Sequence, residues 1–169
     1  MNPTAPRFDV IATMPDIFDG FREASLLGKA IAGGKLALGI HPLRDFARDK
    51  HRMIDDRPFG GGAGMVLKPE PLFEAIETLY APEPAASRLL LMTPQGKRFT
   101  QRTAEELASW FRQGPARQIL MICGRYEGVD ERVIEHFQPE LVSIGDYIIA
   151  GGEVAAMVVI EAVARLLPG

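Results

Sequence analysis

Three short stretches of this sequence hold residue types suited to binding chemistry. The longest is Ser143-Ile144-Gly145-Asp146-Tyr147-Ile148-Ile149-Ala150-Gly151-Gly152-Glu153, which sets three glycines, two acids and a tyrosine between an apolar strand-like run and an apolar helix-like run. The second is Cys123-Gly124-Arg125-Tyr126-Glu127-Gly128-Val129-Asp130, and the third is Thr93-Pro94-Gln95-Gly96. Glycine permits positive φ and lets a ligand touch the backbone directly. Each stretch follows an apolar strand-like run, so together they predict one ligand pocket where strand ends meet.

The elements that must position these loops can be read from periodicity and punctuation. Phe8 to Met14 reads as a buried strand, with Pro15 opening a helix. Ser25 to Ala32 reads as a short helix closed by Gly33-Gly34, and Leu36 to Ile40 as a strand. Residues 43 to 64 read as a long loop, and loops of that length are functional or disordered. Pro71 to Tyr80 has helical spacing at Leu72, Ile76 and Leu79. Strands follow at Leu89 to Met92, Ile119 to Cys123 and Leu141 to Ile144, alternating with helices at Thr103 to Phe111, Asp130 to Phe137 and Val154 to Leu167. That alternation predicts an α/β domain with a mostly parallel sheet flanked by helices.

Length and composition narrow the class. A chain of 169 residues suits one domain with a real core. A net charge of −3 argues against a free-standing nucleic-acid binder, which carries a basic excess. The single cysteine rules out an internal disulfide framework. His41, His51 and His136 are far apart and none is spaced with Cys123, so no metal site is expected. The polar start of the chain lacks a signal peptide's apolar region, and the longest apolar run, Val154 to Ile160, is too short for a membrane span. A cytoplasmic protein is expected.

Several features admit two readings. Gly60 to Gly64 invites a phosphate-loop reading, but no Lys-Ser/Thr follows and the spacing is not GxGxxG before a helix. It is either a ligand-contacting loop or a mobile linker. Asp55 and Asp56 are adjacent, so their side chains should point apart, as solvated acids beside Arg52 and Arg57. The run Arg44 to Arg57 holds five Arg/Lys and four Asp, which fits a solvated loop or a phosphate-contacting one. Cys123, in an apolar strand, reads as a buried small hydrophobe. The last helix is apolar on nearly all faces, which calls for cover on all sides, and a second subunit would supply it. Glu161 and Arg165 could be a surface pair. An arginine buried in so apolar a helix would instead face an anionic or polar ligand.

The chain resembles the bacterial tRNA (guanine-N(1)-)-methyltransferases, members of the SPOUT class. The matching pieces are the run from Asp55-Asp56-Arg57-Pro58-Phe59 through Gly60-Gly61-Gly62-Ala63-Gly64-Met65, then Pro94-Gln95-Gly96, then Cys123 to Arg132, then Ser143 to Tyr147 with Gly151-Gly152-Glu153. They occur in the family's order and span most of the chain.

The resemblance implies a fold whose C-terminal part is tied in a trefoil knot, an S-adenosyl-L-methionine cofactor bent inside that knot, and a homodimer with its active site between subunits. It implies tRNA as substrate, methylated on the guanine just 3′ of the anticodon. Leu91, Met92, Thr93, Pro94 and Gln95 would hold the adenine and ribose side of the cofactor. Gly124, Tyr126, Glu127 and Gly128 would line the middle. Ile144, Gly145, Asp146, Tyr147, Ile148, Ile149, Gly151 and Gly152 would complete the site. His51, Asp55, Arg57, Gly60, Gly61 and Gly62 would meet tRNA and its guanine. The guanine nitrogen must lose a proton to a carboxylate base before it can attack, and the neighbouring oxygen then gains charge that a cation should stabilise. Arg165 matches the family's catalytic arginine and would be that cation.

Two departures from the family pattern are visible. Ala155 stands where proline is common. The family also continues through a linker, which holds the catalytic aspartate, into a helical C-terminal domain; this sequence stops at Leu167-Pro168-Gly169. Residues 1–169 are thus expected to form the cofactor-binding domain, dimerising and binding cofactor but methylating poorly. The alternatives are a SPOUT enzyme with another RNA target, a cofactor-binding dimer without catalysis, and a nucleotide-phosphate binder built on the glycine loop.

Overall fold

The computed structural model describes residues 4–58, 61, 64–80 and 86–168. In chain order the elements are β1 (Arg7–Ala12), a 3-10 turn (Pro15–Phe18), α1 (Asp19–Glu23), α2 (Ser25–Ala32), β2 (Ala37–Pro42) and a second 3-10 turn (Leu43–Phe46). Then come β3 (Asp55–Asp56), β4 (Val66–Leu67), α3 (Pro69–Leu79), β5 (Ser87–Arg98), α4 (Gln101–Phe111), β6 (Gln118–Cys123), α5 (Glu131–Phe137), β7 (Glu140–Ser143) and α6 (Gly152–Ala164). Five strands form one sheet in the order β2-β1-β6-β5-β7. Every neighbouring pair in it is parallel, as the alternation of strand and helix predicts. β3 and β4 form a separate antiparallel pair.

The sheet is buried on both faces, which is why its strands read as unbroken apolar runs rather than alternating ones. All six residues of β6 are buried. Phe8, Val10, Leu90, Met92, Ile119 and Met121 pack on one face with residues of α4 and α6. Ile11, Leu89, Leu91, Leu120 and Ile122 pack on the other with residues of α3 and Val133 of α5. Each fully buried side chain of this size contributes about 1.5–3 kcal/mol. Pro69 opens α3 where its missing N–H costs nothing, Thr100 caps α4 by accepting from the Thr103 amide, and Asp130 caps α5 by accepting from the Arg132 amide.

Two expectations change. The Thr93-Pro94-Gln95-Gly96 stretch is a bulge inside β5, not a loop after it. Met92 and then Lys97 both pair with Val142, so the four intervening residues leave the ladder and the strand resumes through Arg98. A proline is tolerated at such a point because no ladder bond needs its nitrogen. The segment 43–64 is also less of a loop than composition suggests: Leu43 and Ile54 are each 1% exposed and fix it to the core. Among the described residues, no helix is long and apolar enough to cross a membrane.

Candidate functional site

β5, β6 and β7 are neighbours in the sheet, and the β5 bulge and the loops that follow β6 and β7 come together there. They enclose a cavity of about 570 Å³. One wall is Leu91, Met92 and the bulge residues Thr93, Pro94 and Gln95; a second is Gly124, Tyr126, Glu127 and Gly128; a third is Ile144, Tyr147, Ile148, Ile149, Gly151 and Gly152. Those are the positions the sequence assigns to a cofactor, with two exceptions. Gly145 and Asp146 do not line the cavity. The Ser143 hydroxyl donates to the Gly145 carbonyl at 3.0 Å, which turns that part of the loop back over its own strand end, and Asp146 is exposed.

α6 begins against the sheet itself. The Gly152 amide donates to the Gly124 carbonyl at 2.7 Å. A Cβ on Gly152 would lie 2.8 Å from the Cα of Cys123 and 2.9 Å from the Gly124 nitrogen, so only glycine fits. Cys123 itself is 1% exposed, and burial, with the charge of Glu153, pushes its thiol up. It is a buried hydrophobe, as its surroundings in the sequence indicate.

The residues assigned to RNA divide. Asp55 lies beside Tyr126 of the cavity wall, and its interaction with the tyrosine hydroxyl, with burial and the charge of Asp55, raises the tyrosine pKa. Tyr126 is held there at φ 60°, a left-handed conformation uncommon for a bulky residue. Asp56 points away, exposed, as adjacent residues on a strand must. The far end of this segment is pinned to the same loop. The Glu127 amide donates to the Met65 carbonyl at 3.0 Å, and the Leu67 amide to the Gly128 carbonyl at 3.0 Å. Gly64, at φ 89°, lies beneath the Glu127 side chain. His51 and Arg57 are exposed, and the Gly61 amide donates to the Pro58 carbonyl at 3.0 Å. Gly60 and Gly62 lie outside the described residues.

Arg165 is not buried. It stands at the C-terminal cap of α6, exposed, and does not line the cavity. Val154, Val158, Glu161 and Arg165 follow one another at helical spacing on an exposed stripe, with Val154 46% and Val158 43% exposed. The apolar pattern of α6 showed that cover was needed but not which face would lack it.

One ion pair at the site had no role in the sequence reading. Arg125 lines the cavity, and Glu153, 1% exposed, binds it behind the wall. Both lie inside motif stretches. The available signal was an acid in the first turn of a mostly apolar helix. Among the described residues no group of His, Cys, Asp and Glu is gathered as a metal site.

A parallel α/β sheet with a glycine-walled cavity at the carboxyl ends of its strands defines a small-molecule-binding α/β domain. Residues 6–169 match the profile of tRNA (Guanine-1)-methyltransferase TrmD, and the chain belongs to that family. It is 48% identical over 163 residues to the tRNA (guanine-N(1)-)-methyltransferase of Dehalococcoides mccartyi, a match covering 96% of this chain and 63% of that protein. The protein of the same name from Rhodopirellula baltica is 51% identical over 164 residues, covering 96% of this chain and 65% of the relative. That from Myxococcus xanthus is 50% identical over 169 residues, covering 100% and 65%. The chain thus spans less than two thirds of the length of these relatives.

Proposed function

We propose that residues 1–169 form the cofactor-binding domain of a cytoplasmic enzyme that methylates tRNA, transferring a methyl group from S-adenosyl-L-methionine to the N1 nitrogen of the guanine 3′ of the anticodon. The observation that carries this reading is the convergence of the three family motifs on one cavity. The cavity suits such a cofactor in size, since small-molecule sites run from about 300 to 1,000 Å³. It suits it in lining as well: apolar side chains from Leu91, Ile144 and Ala155 alternate with exposed backbone at Gly124, Gly128 and Gly151. We further propose that α6, entering beside Cys123 and Gly124, is the end of a trefoil knot.

S-adenosyl-L-methionine supplies a methyl group on a sulfonium, which needs only an in-line nucleophile. The chain's own residues do the rest of the work. The glycine loops bind through backbone groups and hold the ligand away from bulk water. Asp55, beside Tyr126 of the cavity wall, would receive the guanine edge. Arg165 lies off its own cavity, so it would act in a dimer, stabilising the negative charge on the guanine oxygen at the partner's site. The exposed Val154 and Val158 beside it would lie in that interface. The general base would stand in a linker that follows the cofactor-binding domain, as the resemblance implies.

Calorimetric titration with S-adenosyl-L-methionine, with the oligomeric state measured in the same buffer, tests the reading. Binding to a dimer, unaffected by ATP and competed by S-adenosylhomocysteine, is expected. A folded protein that does not bind overturns it.

A further inference from the structure

Glu153 is the most completely held acid near the cavity, yet it touches none of it. It does not line the cavity and is 1% exposed. Its Oε1 accepts three bonds from the chain just past β1: from the Thr13 amide at 3.1 Å, the Thr13 hydroxyl at 2.8 Å and the Met14 amide at 3.1 Å. Its Oε2 accepts from Nη2 of Arg125 at 3.3 Å. A first-turn acid gains something from the helix dipole, but an exposed one gains it too. Burying a carboxylate carries a desolvation cost that only a full set of donors offsets. The arrangement therefore specifies position.

What it positions is the wall of the cavity. Arg125 lies on the loop after β6 and forms an isolated antiparallel bridge with Gly151. Its guanidinium lies over Gly151 so closely that a Cβ there would be 2.9 Å from Nη2, 3.0 Å from Cζ and 2.5 Å from Glu153 Oε2. Its Nε is buried without a hydrogen-bond partner, so the ion pair with Glu153 is what retains the side chain. One carboxylate thereby joins three segments distant in sequence: the exit of β1, the Arg125 loop and the start of α6.

We infer that Glu153 is a positioning residue: through Arg125 it holds the Gly124–Gly128 loop against Gly151 and Gly152, and so sets the affinity of the cavity for its cofactor. The inference rests on the cofactor reading above and adds the residue that tunes it. Loss of the carboxylate charge releases the Arg125 guanidinium to solvent, loosens its bridge to Gly151 and slackens the Gly152–Gly124 bond.

Glu153→Gln keeps an oxygen for Thr13 and Met14 and removes the charge that holds Arg125. Thr13→Val removes one bond from the same carboxylate at a residue that does not line the cavity. Two readouts are taken well below each variant's unfolding midpoint: the dissociation constant for S-adenosyl-L-methionine, and native-state hydrogen exchange of the Gly152 amide against that of Met121 in β6. Glu153→Gln is expected to weaken binding by about tenfold or more, as for loss of a charged hydrogen bond, and Thr13→Val by about threefold. In both, Gly152 should exchange faster while Met121 does not, a selectivity that general destabilisation would not produce.

A folded Glu153→Gln that binds as the native chain does overturns the inference. Should that variant fail to fold, Thr13→Val decides, and unchanged affinity with unchanged Gly152 exchange is the overturning result. Should the native chain bind no cofactor, the cofactor reading fails, and the exchange measurement alone still shows whether the clasp holds the wall.

Discussion

Asp9 and Glu153 are both buried carboxylates, 0% and 1% exposed, at opposite ends of one sheet. Asp9 lies toward the amino ends of the strands, and it is saturated. It accepts from Arg7 at 2.5 and 2.8 Å, from the His41 ring at 2.7 Å and from the Gln118 amide at 2.8 Å. Those partners tie β1, β2 and β6 side by side. Glu153 lies past the carboxyl ends, and its partners are loops rather than strands. One carboxylate fastens the scaffold; the other fastens the walls of a cavity. The same chemical group therefore makes separable contributions, to stability at one end and to affinity at the other.

The largest expected effect would break this separation if it failed. Asp9→Ala removes the carboxylate that Arg7, His41 and Gln118 share, leaving Gln118 its bond to the Leu79 carbonyl at 2.9 Å, and should lower the unfolding free energy by about 3–5 kcal/mol. Denaturant titration measures it. Cofactor affinity of the folded protein should stay within about twofold of native, since the lost bonds join strands and not loops. A matching loss of affinity would mean that the two ends of the sheet are one cooperative unit.

A smaller effect follows from pH. Burial raises the pKa of Asp9, and the bonds from His41, Arg7 and Gln118 outweigh it, holding the carboxyl at about 2. An unfolded aspartate titrates near ~3.9. Because the folded value is the lower one, the stabilisation is complete above about pH 4 and lost as pH falls through about 2, a contribution of about 2–3 kcal/mol. Unfolding free energies measured between about pH 5 and pH 2 should show this loss, and Asp9→Asn should remove most of it. An unchanged profile in that variant would assign acid sensitivity to other carboxylates.

Sequence reading reached the sheet, its helices and the three motif stretches because apolar runs and glycine clusters are local signals. It did not reach either carboxylate cluster. Asp9 sits inside a strand whose apolar run hides it, and its partners Arg7, His41 and Gln118 converge only through strand pairing. His41 could be weighed only as a metal ligand, by spacing. Glu153 stood in view, but its partners, Thr13 and Met14, are 140 and 139 residues away. Arg165 differs: an apolar helix announces that it must be covered, and the pattern cannot say whether its arginine lies under that cover. The bulge in β5 escaped because a Pro-Gln-Gly sequence reads equally as a turn, and only the pairing of Val142 with both Met92 and Lys97 distinguishes them.

Asp55 is an intermediate case that sharpens the contrast. It is half-buried in β3, and the tyrosine whose hydroxyl it interacts with stands on the cavity loop, with Tyr126 itself 48% exposed. Tyr126→Phe keeps the ring that lines the cavity and deletes the hydroxyl beside Asp55. A single part-exposed polar interaction of this kind contributes about 0.5–1 kcal/mol. Stability should fall by that amount, cofactor affinity should change less than about threefold, and binding of a tRNA anticodon stem-loop to the cofactor-loaded protein should weaken more than either. The Tyr126 ring lines the cavity, whereas its hydroxyl interacts with Asp55, which does not. A loss of cofactor affinity beyond about tenfold would instead make the hydroxyl a cofactor ligand, and Asp55 would then belong with Glu153 among the acids that shape the cavity.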